Sequence, residues 1–224
     1  MQFRRYAIYH LPTGALGEFG GAWLGWDARH GMAHLRPGGL PGDADALTET
    51  PRRYGFHATL KAPFRLAPGR GPKELALALR LICDHLAPFA LALETRCDWG
   101  FVALRPKRQP AGLLALEAAL VTRLDAFRAP LTPAERERRN PDGLPPQARA
   151  HLDHWGYPFV LELFRYHLTL SSQLPAPLAE ALRQKLAPHL APLIAAPMPV
   201  AAVALMGEDE DGFFRMIEEV PLRG

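Results

Sequence analysis

Two short patterns in this chain set a threonine two residues after a histidine: His57-Ala58-Thr59 and His167-Leu168-Thr169. An imidazole titrates near neutrality, so it can accept a proton from one group or donate one to another, and two imidazoles can serve both ends of a hydrolysis. Residues two apart share a face in an extended strand, which puts each threonine hydroxyl beside its histidine as a donor to developing negative charge. The flanking residues keep the alternation. Phe56, Ala58, Leu60 and Ala62 form one apolar row, opposed by Gly55, His57, Thr59 and Lys61. Phe164, Tyr166, Leu168 and Leu170 form another, opposed by Arg165, His167, Thr169 and Ser171. One copy alone would read as a half-exposed polar row, since the β-branched threonine suits a strand. Two copies at matching places read as a site.

The elements around the two patterns also repeat. Residues 5–9 are aromatic and branched enough for a strand, Leu11-Pro12-Thr13-Gly14 is a turn, and Leu16, Phe19 and Trp23 fall near helical spacing. Residues 36–52, rich in Pro, Gly and Asp, read as a loop leading to the His57 strand, which Pro63 should end. Leu75, Leu79, Ile82 and Leu86 mark an amphipathic helix stopped by Pro88, and residues 89–93 a buried strand. The order then restarts. A strand at 101–105, a helix through Leu113, Leu116, Leu120, Leu124 and Phe127, the His167 strand, a helix through Leu178, Leu182 and Leu186, and strands at 200–205 and 213–220 follow. The histidines are 167 − 57 = 110 residues apart, and the same offset carries Phe89 to Pro199. The chain is therefore expected to be a single domain over 1–224, an α+β fold of two duplicated lobes, approximately 1–99 and 100–224.

Composition narrows the function classes. With 48% hydrophobic and 22% charged residues the chain is globular, and no apolar run approaches the roughly 20 residues of a spanning helix, so a cytoplasmic protein without membrane contact is expected. Cys83 and Cys97 are too few for a disulfide framework and lack metal-ligand spacing. A net charge of +3 favours a local anion site over a surface that coats nucleic acid.

One segment falls outside the repeat. Residues 129–157 carry the charge run Glu135-Arg136-Glu137-Arg138-Arg139 and a short helix between Pro146 and Gly156, a solvated lid or packing insertion closed by Trp155-Gly156-Tyr157-Pro158. His151, Asp153 and His154 could support a metal, but His-x-x-His without a third ligand is more often a surface pair, so no metal and no cofactor are expected.

The doubled His-x-Thr pattern resembles the 2H phosphoesterase superfamily. More narrowly, residues 53–64 together with Trp155-Gly156-Tyr157-Pro158 and residues 164–170 are similar to proteins encoded in bacterial phosphonate-utilisation operons. The resemblance implies a bilobal α+β fold with antiparallel sheets lining a central cleft and helices outside. It also implies facing histidines and metal-independent hydrolysis of phosphodiesters, often cyclic ones. His57, Thr59, His167 and Thr169 would be catalytic, and Lys61, Arg165 and Ser171 would bind phosphate. Tyr54, Tyr6 and His10 could line the cleft, although core packing suits both tyrosines as well. Arg5, Arg52 and Arg53 lie near its entrances in sequence. The expected partner is a small phosphorylated substrate, such as the ribose cyclic phosphate bearing a further phosphate that arises in phosphonate breakdown. An RNA end with a 2′,3′-cyclic phosphate and a noncatalytic phosphate-binding module are the alternatives.

Overall fold

The computed structural model describes residues 3–36, 38 and 43–224. In chain order its strands and helices are β1 (Arg5–His10), α1 (Gly14–Leu24), β2 (Trp26–Asp27), β3 (Met32–Ala33), α2 (Ala44–Arg52), β4 (Ala58–Phe64) and α3 (Pro72–Cys83). There follow β5 (Phe89–Leu91), β6 (Leu93–Arg96), β7 (Ala103–Pro106), α4 (Ala111–Arg123), α5 (Pro133–Glu137) and α6 (Pro146–Trp155). The chain closes with β8 (Leu168–Thr169), α7 (Ala176–Leu190), β9 (Met198–Val200), β10 (Ala202–Glu208) and β11 (Phe214–Pro221).

Two antiparallel sheets carry the two motifs. The larger runs β11-β10-β1-β4 and holds Thr59, with His57 just ahead of it; the smaller runs β6-β7-β8 and holds Thr169, with His167 just ahead. The sheets draw strands across residue 99: β10 pairs with β1 from Arg5↔Glu208 to Tyr9↔Ala204. β5 and β9, the segments related by the 110-residue offset, hydrogen-bond to each other, with Phe89 opposite Val200. The fold class is α+β with antiparallel sheets, as the alternation patterns imply.

Alternation along β1 assigns its two faces. Tyr6 and Ile8 enter the main core, while Ala7 and Tyr9 enter a second cluster with Trp26 and Phe214. α4 buries Leu113, Leu116 and Leu120 against β4, each fully removed from solvent and contributing roughly 1.5–3 kcal/mol relative to exposure. Gly20 lets Phe56 lie on α1, since a Cβ there would meet the Phe56 ring at 2.1 Å.

Several local expectations change. Residues 37 and 39–42 of the expected loop lie outside the described residues, and the remainder contains α2, a helix that ends on Pro51 and Arg52. Pro63 does not end its strand. β4 is an edge strand, so a residue without an N–H costs no ladder bond on its free side. The second motif has only two strand residues, and 164–167, where the alternation suggested a strand, lie outside any strand after a 3-10 turn at Leu161–Leu163.

Candidate active site

Each histidine is held by the carbonyl two residues before it. His57 Nδ1 lies 2.8 Å from the Gly55 oxygen and His167 Nδ1 lies 2.8 Å from the Arg165 oxygen. A carbonyl only accepts, so Nδ1 carries the proton in both rings and each Nε2 presents a lone pair. His57 Nε2 accepts from the Thr59 hydroxyl at 3.1 Å. The His57 ring stacks on Tyr9 at 3.9 Å between centroids, and Trp99 meets the His167 ring edge-on at 5.7 Å. Burial among these rings pushes the His57 pKa down to about 4 and lowers that of His167. Both imidazoles are therefore neutral at pH 7.

His57, Thr59, His167 and Thr169 line one cavity of about 320 Å³. Bonds from the chain on either side of β8 fix the relation of the two motifs. Tyr166 and His10 are joined at 2.7 Å, Trp23 Nε1 donates to the Leu170 carbonyl at 2.6 Å, and the Ser172 amide donates to the Leu47 carbonyl at 2.7 Å. Positions either side of the second motif are thus tied to β1, α1 and α2. Such support holds catalytic groups in place before substrate arrives.

The remaining expected site residues divide. Tyr54 lines the cavity near His57. Ser171 lines it too, but its hydroxyl accepts from the Val102 amide and donates to the Ser172 carbonyl. Tyr6 is buried in the main core and His10, its pKa lowered to about 4 by burial, is a core residue bonded to Tyr166. Arg165 is turned back on the carbonyls of Glu162 and Phe164, at the rim of a neighbouring cleft.

Lys61 is displaced most. Opposite β1 the register steps from Ile8↔Lys61 to Tyr9↔Thr59, so Leu60 is an extra residue and the alternation flips beyond it. Ala62 takes the cavity face, while Lys61 donates to the Val121 carbonyl at 2.9 Å, 3.6 Å from Asp125. It caps the C-terminal end of α4, where a cation is favoured, although burial lowers its pKa to about 8. Lys61→Met is therefore expected to change thermal stability while leaving KM within about twofold; a large rise in KM would restore Lys61 as a substrate ligand.

The insertion supplies two residues that were not among the expected site residues, Arg139 from the charge run and Tyr157 from the segment expected to pack the insertion against the core. Arg139 and Tyr157 both line the cavity, the guanidinium 5.0 Å from the Tyr157 ring centroid. The insertion is fastened by a bidentate Arg65–Glu135 pair at 2.9 Å and by Arg128 donating to the His154 carbonyl at 2.8 Å. Asp153 pairs with Arg136 at 2.7 Å and His151 lies 3.2 Å from Glu162. Arg139, last in the charge run, has no carboxylate partner among the described residues. A charge run normally marks a solvated face, so only its nearness to Tyr157 could have singled it out.

Three histidines have lowered pKa values, His10, His57 and His167, and this bears on stability. The folded pKa of about 4 for His10 and His57 lies below the ordinary 6.5, so the unfolded chain binds protons first. Their contribution is complete above pH 6.5 and is lost as the pH falls toward 4. Near pH 5, His10 and His57 together give a slope of about 2.4 kcal/mol per pH unit. Denaturant midpoints at pH 5 and 6 measure it, and His57→Gln should roughly halve it; stability flat over this range would contradict these environments.

Two His-x-Thr pairs, each delivered by a different antiparallel sheet, thus wall one cavity with two neutral imidazoles. A family model described as a protein of unknown function, DUF1045, matches residues 59–215, and the chain belongs to this family. Two curated proteins, each named ribose 1,5-bisphosphate phosphokinase PhnN, are similar to it. That of Janthinobacterium sp. (strain Marseille) is 34% identical over 234 residues, covering 98% of this chain and 51% of the relative. That of Laribacter hongkongensis (strain HLHK9) is 36% identical over 211 residues, covering 93% and 49%. The chain thus spans about half the length of the curated relatives it matches. Among solved structures, E. coli LigT complexed with NADP+ aligns over 100% of both chains at 17% identity and a TM-score of 0.43. A phosphoesterase aligns over 99% of both at 16% identity and 0.44. Among the described residues no helix is long and apolar enough to cross a membrane.

Proposed function

We propose that this protein is a metal-independent phosphoesterase of the 2H type that opens a cyclic phosphodiester on a small sugar phosphate. The reading rests above all on the convergence of His57, Thr59, His167 and Thr169 on one cavity. His57, with its Nε2 lone pair facing Thr59 and a pKa of about 4, stays unprotonated and acts as the base for water. His167 acts as the acid once a bound anion has raised its affinity for a proton. The water oxygen forms a bond to phosphorus as the ring P–O bond breaks. The water proton passes to His57 Nε2 and the His167 proton to the departing oxygen, leaving a phosphate monoester. Thr59, which donates to His57 in the resting site, turns its hydroxyl to a nonbridging oxygen and frees the lone pair; Thr169 donates beside it.

The names of the two relatives, both referring to ribose 1,5-bisphosphate, support a phosphorylated pentose as the substrate class, in line with the phosphonate-operon resemblance. A second reading draws on the cleft next to His167. It has a volume of about 630 Å³ and is walled by Trp99, Phe101, Tyr157 and Phe159, a surface on which a nucleobase would stack. This favours a 2′,3′-cyclic nucleotide or RNA end. Steady-state kinetics on ribose 1,2-cyclic phosphate 5-phosphate and on a 2′,3′-cyclic nucleotide, each with EDTA, separate the two. Undiminished turnover in EDTA with the sugar phosphate preferred is expected. Loss of activity on chelation would sink the metal-independent mechanism, and preference for the nucleotide would transfer the assignment to the second reading.

A further inference from the structure

We propose that the junction between the catalytic cavity and an arginine-lined chamber beside it is a second anion subsite, which binds a phosphate monoester carried by the substrate apart from the reacting phosphodiester. The proposal deepens the catalytic reading above and rests on it. The chamber has a volume of about 500 Å³, and Arg5, Tyr54, Arg139 and Tyr157 line both spaces.

Charge accounting shows which cations are available. Arg5 is matched by Glu208 at 2.5 Å, Arg65 by Glu135 at 2.9 Å, and Arg128 by Asp125 at 2.8 Å, with Lys61 3.6 Å from the same Asp125. Arg4, Arg138 and Arg139 remain in the chamber wall without a carboxylate among the described residues. Arg139 is also in the wall of the catalytic cavity, so its charge is shared between the reacting centre and the chamber.

A second observation comes from β1. Tyr9 is fully buried, lines the catalytic cavity, and its hydroxyl has no hydrogen-bond partner among the described residues. The phenol shares the cavity wall with Arg5, Tyr54, Arg139 and Tyr157, the residues that also line the chamber. A buried hydroxyl left without a partner is uncommon in folded proteins and points to a polar atom that arrives with the ligand. A phosphate monoester supplies acceptor oxygens for this hydroxyl and a charge for the guanidinium. The substrate class is then a small ring bearing a cyclic phosphodiester at one end and a phosphate monoester at the other.

The test compares two substrates that differ only in that group: ribose 1,2-cyclic phosphate with and without the 5-phosphate. The wild-type protein is expected to favour the 5-phosphate by about tenfold or more in kcat/KM, chiefly through KM, and Arg139→Gln to erase most of that preference. Tyr9→Phe should reduce the same preference by a smaller factor. Equal kcat/KM for the two substrates in the wild type, or an equal loss on both in Arg139→Gln, overturns the subsite. If neither compound is turned over, the catalytic reading fails, and calorimetry with ribose 5-phosphate decides the subsite independently. Binding weakened about tenfold by Arg139→Gln sustains it, and binding that is undetectable or unchanged overturns it.

Discussion

Replacing His167 by alanine is expected to lower kcat on a cyclic phosphodiester by about 10²- to 10⁴-fold while KM stays within a small factor. In the proposed mechanism the ring's main contribution is the proton it supplies to the leaving oxygen, so its loss falls chiefly on kcat. His57→Ala should cost a similar factor, and the double variant little more than either single one, because the two rings act in one step. The pH profile carries a further signature. In the free protein His57 must be unprotonated, which holds above about pH 4, and His167 protonated, which holds below a pKa under 6.5. The profile of kcat/KM is therefore expected to be a bell with its maximum on the acid side of neutrality. In the profile of kcat the basic limb should move upward, since the bound anion stabilises the imidazolium. A pH-independent rate through this range, or variants within threefold of wild type, would remove both histidines from the chemistry.

Gly55→Ala is the second large effect. Gly55 has φ +73°, a left-handed conformation, and a Cβ added there would stand 2.5 Å from the Ala28 Cβ. The backbone term costs about 1–2 kcal/mol and the overlap about 1–3 kcal/mol, so a loss on the order of 3 kcal/mol and a Tm lower by roughly 6–12 °C are expected. Activity should fall beyond what stability explains, because the Gly55 carbonyl fixes the His57 tautomer and aims its Nε2. Combining the change with Ala28→Gly removes the contact but not the φ strain and should restore part of both losses. Thermal unfolding and kcat on the four proteins of this cycle check it; a Gly55→Ala protein with unchanged Tm and kcat would contradict the geometry.

The doubled motif was legible because period-two alternation is local, and so was the helix of the insertion, bounded by Pro146 and Gly156. Residues whose position depends on pairing were not. Lys61 shares a face with His57 only if β4 is regular, and the extra residue at Leu60 is visible only opposite Ile8 and Tyr9. Pro63 looked like a strand end because nothing local marks β4 as an edge. α2 lay hidden in a stretch whose composition belongs to turns, and its interior is held instead by Arg36 donating to Thr48 and Asp45 at 2.9 and 3.0 Å. Arg139 and Tyr9 enter the site through tertiary placement alone. One came from a charge run that usually faces water, the other from a strand whose aromatics usually face a core.

The pairing of β1 with β10 sets a condition on biosynthesis. β1 forms its bond ladder to β10 across 203 residues, as between Arg5 and Glu208. At ribosomal rates of 5–20 residues per second, one side of a strand reading Arg-Tyr-Ala-Ile-Tyr-His stays without its partner for roughly 10–40 s. For that interval the nascent chain offers an apolar edge to any other strand in reach, and the wall that holds Tyr9 under His57 is incomplete. Soluble yield should therefore rise when holdase chaperones are co-expressed or translation is run at lower concentrations of nascent chain, and a chain stopped before residue 202 should aggregate.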